Sequence, residues 1–577
     1  MILPSLAAIA KTVILGVAGY AWVNALGMTR SSHAFERLVL ALCLSVSCAV
    51  VASLLVILAR LPFEFTNYVV VVLALGLIGI WLLYKPNRIV SIRKMQNLSR
   101  YWLPMVLFLF HLGLWSIYLF TYPYFPNTEP PDAYFHAELT LTVLQGAFTS
   151  PIGPTGFAGG AHVLFAFVSS YFGVGVIPAE RETAAFVESL SVLVAYSLFQ
   201  RILPSKLAGD YASVAYATII PAGFVYYASV GAYPNIVGDF FVLTSLLIAV
   251  MIQPKPKIRA VVTAVVVESV ALISHVSALI FLLLIVGFSV VVFIHFRSQL
   301  RGYVISNLGF FLVPTAGVVA TPFLVFRELS YVSALYLELH YDLGLIFSVW
   351  IHNYLYLPGY LNAILLLVAF VFVVAKFRGN IWPVFLACWF AMLIFLVFIG
   401  TQDWRMVLLS FVPGAGLLGI LLATVHERLE HLLLEWIKTL RMRRLAAISV
   451  MLIIVVVLAA GGPSAYALSH AVAAGQSTKQ RNVYNSMIWI EQSTPPNSRV
   501  ASVGLWLEYR YLPIVADRTY VGDFQLNSTG ISTLHSSQVF DYVAVSTSFS
   551  GLNSFYGGAF RLKYQNPDVV IFLILTD

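Results

Sequence analysis

Long apolar runs recur along this 577-residue chain and constrain its fold more than any other feature. A helix needs about 20 apolar residues to cross the hydrocarbon layer, and the chain offers about fourteen such runs. With 60% hydrophobic and 10% charged residues, it carries more apolar surface than a soluble core can bury. The sequence therefore predicts a mainly α-helical membrane protein of about 14 spans. Their approximate ranges are 5–28, 38–60, 67–84, 101–121, 183–203, 211–230, 236–252, 260–275, 276–296, 302–326, 356–375, 380–400, 407–425 and 445–468.

The basic residues predict which ends of these helices face the cytoplasm. Lys and Arg favour cytoplasmic loops, and every basic loop falls on one side if residues 161–177 do not cross the membrane. We therefore interpret that segment as re-entrant or interfacial. This arrangement places loop 122–182 and the tail from residue 469 on the outer side. The net charge of +8 resides largely in the inner loops, so membrane lipids are expected as partners and nucleic acid is not.

The last 110 residues or so change in character, with turn residues between short β-like runs. A helix is predicted over 482–492, and strands over 499–504, 518–523, 541–546 and 569–574. These elements predict a small extracytoplasmic α/β domain at residues 469–577. Cysteine is absent from this tail, and Cys43, Cys48 and Cys388 lie in apolar runs. A disulfide framework is therefore not expected, and the lack of outer cysteines suits a multi-pass protein of a prokaryotic plasma membrane.

The stretch NTEPPDAYFHAELT (127–140) gathers Glu129, Asp132 and His136 beside a predicted span. Carboxylates and an imidazole can act as a general base or hold a divalent cation such as Mg²⁺ or Mn²⁺. A helix beginning near Ala133 would have Asp132 as its N-cap and His136 one turn further on the same side. The alternative is that Asp132 only caps the helix, a position at which Asp is favoured.

Other candidates follow predicted outer turns. Asn235 and Asp239 share a helical face because they are four residues apart, and a charge at Asp239 is costly inside the hydrocarbon. Asn235 could instead cap the next helix. Arg405, next to Asp403, offers planar donors that match phosphate oxygens, although a surface pair or a snorkelling arginine fits the same pattern. The remaining candidates for substrate binding are Tyr233 and His275.

Together these features resemble the GT-C superfamily of integral-membrane glycosyltransferases over about residues 101–525. The sequence PPDAYFH resembles the family's catalytic loop, with its aspartate at Asp132. The stretch at 206–241 resembles that leading to a metal-binding acidic motif in oligosaccharyltransferase catalytic subunits, but Pro234 and Asn235 stand where that family has acids. MIWIEQSTPPNSRVASVG resembles the start of the family's outer domain. The Trp-Trp-Asp motif that reads asparagine sequons is missing.

The resemblance implies three parts: additional spans at 1–100, a GT-C-like transmembrane domain at 101–468, and the outer domain at 469–577. It also implies transfer of a sugar from a polyprenyl-phosphate donor to a hydroxyl on a glycan, lipid or protein acceptor, with inversion. Asp132, assisted by His136 or Glu129, would act on the acceptor, and Arg405 would hold the departing phosphate. Asp132 and Glu129 are the candidate ligands of a metal.

Two other functions fit the same sequence. A transporter or flippase-like carrier would use the intramembrane Asp239 and the helix breaks at Gly231 and Pro234, although no inverted repeat is visible. A non-catalytic scaffold would have the same fold with a degraded acidic motif. Soluble nucleotide, serine-hydrolase and zinc-protease chemistry have no support, because the chain carries none of the motifs GxxxxGK[ST], GxSxG or HExxH.

Overall fold

A computed structural model describes most of the chain. The described residues are 2–25, 34–83, 101–121, 132–146, 160–219, 232–252, 287–291, 293, 297, 360–397, 403–433, 436–437, 439–460, 476–505, 509, 511–523, 540–556 and 559–575.

The described part is mainly helical, with one small sheet near the C-terminus. Its helices are α1 (Ile2–Ala25), α2 (Ala34–Leu58), α3 (Phe65–Leu83), α4 (Trp102–Thr121), α5 (Asp132–Leu144), α6 (Gly160–Phe172), α7 (Val176–Ile202), α8 (Lys206–Val214, continued by a π-helical turn at Ala215–Ile219), α9 (Tyr233–Ile252), α10 (Tyr360–Lys376), α11 (Ile381–Val397), α12 (Asp403–Leu432), α13 (Leu440–Ala460), α14 (Gln476–Ser493) and α15 (Leu512–Ala516).

Six of these helices are long and apolar enough to cross a membrane, which makes the chain a membrane protein. They are α2, α4, α7, α9, α12 and α13, and five shorter apolar helices accompany them among the described residues. The prediction of a mainly α-helical membrane protein is confirmed, while the number of about 14 spans stays a prediction. The spans predicted at 260–275 and 302–326 lie outside the described residues. Most of the segment at 161–177 lies in the 13-residue helix α6, whose length of about 20 Å is short of the hydrocarbon thickness, and its last two residues begin α7.

Helix α7 is the centre of the bundle, and it packs against α2, α4, α5, α6, α8 and α9. It begins after Gly175, whose backbone is extended, and Pro178 occupies its first turn, where a missing N–H costs nothing. It ends before Leu203, which is again extended. The sequence predicted a start at residue 183. This predicted start was wrong. The charged Glu-Arg-Glu run at 180–182 has the composition of a solvated loop, but Glu180 and Arg181 are buried within the helix.

Helices α1, α2 and α3 form a trio that packs together and against α6 and α7. The close approach of α1 and α2 requires Gly19, because a Cβ there would overlap the Ala41 carbonyl and the Ser45 side chain. Small residues allow such close helix pairs in membranes. A similar approach joins α12 to α8, where Gly419 faces Ala212.

A five-stranded sheet follows the last apolar helix. Its strands are β1 (Arg499–Val503), β2 (Thr519–Asp523), β3 (Tyr542–Ser546), β4 (Phe560–Gln565) and β5 (Val569–Ile574), in the order β2-β1-β3-β5-β4. β1 is parallel to β2 and β3, while β5 is antiparallel to β3 and β4. The four predicted strands are present, and β4 was not predicted. Helix α14 ends at Ser493, immediately before the Thr494-Pro495 turn that the sequence indicated.

Candidate active site

One face of α5 carries polar side chains toward the bundle. His136 and Thr140 are four residues apart and therefore lie on the same face of the helix. Thr140 is fully buried and His136 is half-buried. The two contact different elements, since His136 meets α6 and Thr140 meets α7.

The His136 contact is with a second histidine. Nδ1 of His136 lies 3.0 Å from Nε2 of His162 on α6, a distance at which one nitrogen carries the proton and the other offers its lone pair. The ring whose nitrogen accepts is therefore neutral, and two imidazolium charges at this separation would repel strongly. The pair can hold or pass one proton between α5 and α6.

Helix α7 places a carboxylate and a guanidinium in adjacent positions. Glu180 is 1% exposed and Arg181 is 2% exposed. The Thr140 hydroxyl donates to Oε1 of Glu180 at 2.7 Å. Buried charges of this kind are costly to form and are retained when they have partners. We therefore regard Glu180 and Arg181 as the most constrained charged groups beside α5.

Three tyrosines from separate segments form a series of neighbours that begins at this pair. The buried Tyr233, at the start of α9, lies within electrostatic range of Arg181, Glu180 and Tyr511. The ring of Tyr511, which directly precedes α15, packs edge-on against Tyr134 of α5 at 5.9 Å. The C-terminal segment thus contributes a side chain to the same region. We call these residues the polar cluster: Tyr134, His136, Thr140, His162, Glu180, Arg181, Tyr233 and Tyr511.

Glu138, on a neighbouring face of α5, is partly shielded from solvent. Burial raises the pKa of its carboxyl above the usual range, and a hydrogen bond with Tyr134 offsets part of that effect. The carboxyl therefore keeps its proton to a higher pH than a free glutamate does.

The predicted site residues are distributed as follows. Tyr233 is in the polar cluster and His136 is paired with His162. Asp132 is the first residue of α5 and Asp403 the first of α12, with Arg405 in the same turn of α12. The side chains of Asp132, Asp403 and Arg405 are outside the described part of the structure, as are residues Glu129 and His275.

Asn235 and Asp239 lie on α9. Asn235 is buried in the first turn, and its backbone N–H donates to the Ala232 carbonyl. It is therefore inside the helix and is not its N-cap, contrary to the alternative that the sequence left open. Asp239 is half-buried one turn later and lies near the Tyr216 hydroxyl of the π-helical turn.

A second polar group lies deeper in the bundle. Glu188, near the midpoint of the 27-residue α7, accepts a hydrogen bond from the Trp115 indole at 3.0 Å. Nε2 of His111 lies 4.0 Å from its other oxygen. Tyr216 is within electrostatic range of both Glu188 and Asp239. Ionisable groups inside spans are rare and face the protein interior, as these do.

A metal ion would need more ligands than the described residues bring together. No group of three or more His, Cys, Asp or Glu side chains suited to a metal occurs in that part of the chain. His136 and His162 form a pair only. The expected ligands, Asp132 and Glu129, are not described at the level of side chains.

Sequence reasoning missed His162, Glu180, Arg181 and Tyr511. The signal for Glu180 and Arg181 was present, since charged residues directly before an apolar run can belong to the buried end of that helix. The pairing of His162 with His136 spans 26 residues and depends on tertiary packing. Tyr511 joins the cluster from the other end of the chain, and local pattern gives no indication of it.

Comparison with known proteins identifies the architecture. No family model matches the chain, and no curated protein matches it in sequence. Among solved structures, ArnT from Cupriavidus metallidurans bound to undecaprenyl phosphate aligns with 81% of this chain and 97% of its own, at a TM-score of 0.50 and 14% identity. The apo form of ArnT aligns with 82% of this chain and 98% of its own, at a TM-score of 0.50 and 14% identity.

The apo oligosaccharyltransferase of Archaeoglobus fulgidus aligns with 78% of this chain and 70% of its own, at a TM-score of 0.51 and 12% identity. Both proteins are GT-C membrane glycosyltransferases. Identities this low establish the fold and leave activity to be argued from the residues of this chain. The resemblance predicted from the sequence is confirmed at that level, and the chain has the fold of the GT-C membrane glycosyltransferases.

Proposed function

We propose that the protein transfers a sugar from a polyprenyl-phosphate-linked donor to an acceptor hydroxyl, with inversion at the anomeric carbon. The observation that carries this proposal is the polar cluster, in which the buried Glu180, next to the buried Arg181 on α7, accepts a hydrogen bond from Thr140 on the helix α5 that begins at Asp132. The fold supports it, because ArnT with the same fold was solved bound to undecaprenyl phosphate.

The donor supplies the energy of the reaction, so no nucleotide is required. The acceptor oxygen attacks the anomeric carbon, its proton passes to the carboxylate of Asp132, and the bond from that carbon to the phosphate oxygen breaks. The lipid phosphate leaves with the electron pair and gains negative charge. Helical periodicity places residue 132 one turn before His136, so His136, or Glu129 from the preceding loop, would assist Asp132.

The departing phosphate needs a cation in a site of low polarity. Fixed charges and dipoles in such sites stabilise developing charge strongly. We assign this role to Arg405, with Asp403 beside it, and add Arg181 as a second cation because it is buried within the polar cluster. Tyr233 and Asn235 would bind sugar hydroxyls, and Asp239 and His275 would complete the substrate pocket.

The acceptor is a glycan, a lipid or a protein. A divalent cation, Mg²⁺ or Mn²⁺, would be held by Asp132 and Glu129, and it would supply positive charge near the phosphate. We place loop 122–182 and residues 469–577 on the outer face of a prokaryotic plasma membrane, because the basic loops then face the cytoplasm. Spans 1–100 and the transmembrane part 101–468 complete the proposed organisation.

A carrier is the second candidate, and the group around Glu188 favours it. Carriers bind substrates or coupling ions near the middle of the bilayer. Glu188 is near the midpoint of α7 and His111 near the midpoint of α4, and both belong to the group that includes Trp115. Transport would move the lipid-linked sugar intact, whereas transfer would release the lipid phosphate.

One incubation distinguishes the two functions. The purified full-length protein is mixed with radiolabelled polyprenyl-phosphate sugars and a mixture of hydroxyl acceptors. We expect release of lipid phosphate together with a labelled acceptor of inverted configuration. A parallel incubation with a chelator shows whether a divalent cation is required. Movement of intact donor across proteoliposomes, without any released lipid phosphate, would contradict the proposal and favour the carrier.

A further inference from the structure

Helices α1, α2 and α3 lie against the elements that carry the polar cluster. We propose that this trio is a positioning module: it holds α6 against α7, and so keeps His162 of α6 in contact with His136. For its effect on sugar transfer, this inference rests on the proposed function. For its effect on the geometry of α5 and α6, it stands on the contacts alone.

The first attachment joins α1 and α3 to α6 through Lys11. Lys11 is the single charged residue of α1 and sits in an otherwise apolar run. Its amino group lies 4.3 Å from the centre of the Phe65 ring and 5.9 Å from that of Tyr171. Its carbonyl oxygen accepts from the Tyr171 hydroxyl at 3.0 Å. A cation over an aromatic ring is stabilised by the negative face of the ring. Tyr171 is fully buried, Lys11 is half-buried, and Phe65 is 39% exposed.

The same end of α6 makes two further contacts with the trio. The Ser170 hydroxyl donates to the Phe63 carbonyl, in the turn between α2 and α3, at 2.6 Å. Phe167 packs edge-on against Tyr68 of α3, with ring centres 4.8 Å apart. The Phe63 carbonyl lies in the turn and the Lys11 carbonyl in α1, so the hydrogen bonds from Ser170 and Tyr171 attach this end of α6 to two points of the trio.

The second attachment joins α2 to α7. Nε and Nη2 of Arg201 donate to the two carboxylate oxygens of Glu36 at 2.8 and 2.7 Å. This paired geometry is the strong and directional form of the ion pair. Phe35, next to Glu36, stacks on Tyr101 at 4.6 Å and packs edge-on against Tyr196 of α7 at 5.8 Å.

Both attachments lead to the polar cluster along rigid helices. Ser170 and Tyr171 are eight and nine residues from His162 on α6, a helical distance of about 13 Å. Arg201 is on the same helix as Glu180 and Arg181. The trio therefore holds one end of α6 and the far end of α7, and it fixes the spacing of the two helices that bear His162 and Arg181.

The test breaks each attachment in the full-length protein reconstituted in lipid nanodiscs. The variants are Lys11→Met, Glu36→Gln and their combination, with Lys11→Arg as the conservative replacement. Lys376→Met is the matched control, since Lys376 is exposed at the end of α10. Hydrogen–deuterium exchange of Gly160–Phe172 and Asp132–Leu144 gives the mobility of α6 and α5. Solid-state NMR of isotope-labelled histidine reports the ring-nitrogen shift of the His136 to His162 hydrogen bond.

We expect the combined variant to exchange about tenfold faster in α5 and α6 and to lose the shifted histidine signal. Lys11→Arg should retain the wild-type rate and signal, and Lys376→Met should change neither. Faster exchange confined to α1–α3, with α5, α6 and the histidine signal unchanged, would overturn the positioning role. If the combined variant does not fold, Tyr171→Phe is used instead, because it removes only the hydroxyl that donates to the Lys11 carbonyl. An unchanged histidine signal in Tyr171→Phe would then overturn the positioning role.

Sugar transfer by the same variants is measured separately. A loosened α5 and α6 with reduced turnover supports both the positioning module and the proposed reaction. A loosened α5 and α6 with undiminished turnover supports the module and contradicts the proposed role of His136.

Discussion

Arg518 is buried, and it connects the C-terminal end of α14 to the C-terminal end of α15. Its guanidinium donates to the carbonyls of Ala516, Asp517, Glu491 and Thr494, and to the Thr494 hydroxyl, at 2.7 to 3.1 Å. The last carbonyls of a helix have no partner within the helix, so Arg518 satisfies groups that would otherwise be buried without one.

We predict that Arg518→Ala destabilises the C-terminal sheet region by about 3 kcal/mol, because several buried carbonyls lose a charged donor at once. Local stability from hydrogen exchange of residues 476–575 measures this loss. Arg561→Ala is the control, since Arg561 is exposed on β4, and it should change stability by less than about 0.5 kcal/mol. Equal effects of the two replacements would contradict the capping role.

Glu138 gives the protein a pH dependence of known sign. Burial raises the pKa of its carboxyl above the unfolded value of 4.5, so the folded state binds this proton more tightly than the unfolded state. Ionisation at higher pH therefore costs stability. We expect Glu138→Gln to raise the Tm at neutral pH and to leave it nearly unchanged below pH 4.5. A Tm shift that is larger at the acidic end would contradict this sign.

At the level of residues, the sequence singled out His136 and Tyr233 beside predicted span ends. The structure places both next to other members of the polar cluster, and their roles in the reaction stay a prediction. Glu180 and Arg181 were missed, because burial of adjacent opposite charges depends on partners that α5 and α9 supply. The spacing of residues in the sequence shows which side chains share a face of α5. It does not show that this face contacts α6 and α7.

Gly19 sets how closely α1 and α2 approach. A Cβ at position 19 would overlap the backbone and side chain of α2, whereas one at Gly16, on the same helix, would meet nothing within 4 Å. We predict that Gly19→Val destabilises the protein by about 3 kcal/mol through this overlap, and that Gly16→Val costs far less. Thermal unfolding of both variants in the same detergent provides the comparison, and similar midpoints would contradict the assigned packing.

At the level of elements, periodicity and length located most of the described helices and four of the five strands, but not the short helix α15. Helix α7 started earlier than predicted, because its first turns are polar and buried. Strand β4 was missed because its sequence, Phe560–Gln565, is largely polar and mostly exposed at the sheet edge. Single-sequence reasoning underestimates edge strands, since they lack the apolar run of a buried strand.

The fold of the whole molecule could be predicted from the order of weak motifs, none of which is specific alone. The fold is shared at 14% identity, because a membrane constrains which backbone structures can span it more than it constrains particular side chains. The convergence of α5, α6, α7, α9 and Tyr511 on one cluster could not be predicted, since it depends on contacts between distant parts of the chain.

Sidedness is a property of the whole molecule, and it is tested by thiol labelling. We predict that Gln145→Cys and Asn553→Cys react with a membrane-impermeant reagent added outside intact cells, and that Arg378→Cys does not, because the basic loops should face inward. All three positions are exposed. The background replaces Cys43, Cys48 and Cys388 with Ala. Labelling of Gln145→Cys and Asn553→Cys from opposite faces would contradict the proposed topology.

The most direct measurement is single-turnover sugar transfer by Asp132→Asn, with donor binding measured in the same preparation. We predict that the variant binds the polyprenyl-phosphate sugar with near wild-type affinity and transfers the sugar at least about a hundredfold more slowly, because the acceptor hydroxyl loses its base. Wild-type transfer by Asp132→Asn, with the lipid phosphate released at the normal rate, would contradict the proposed reaction and the role of Asp132 as its base.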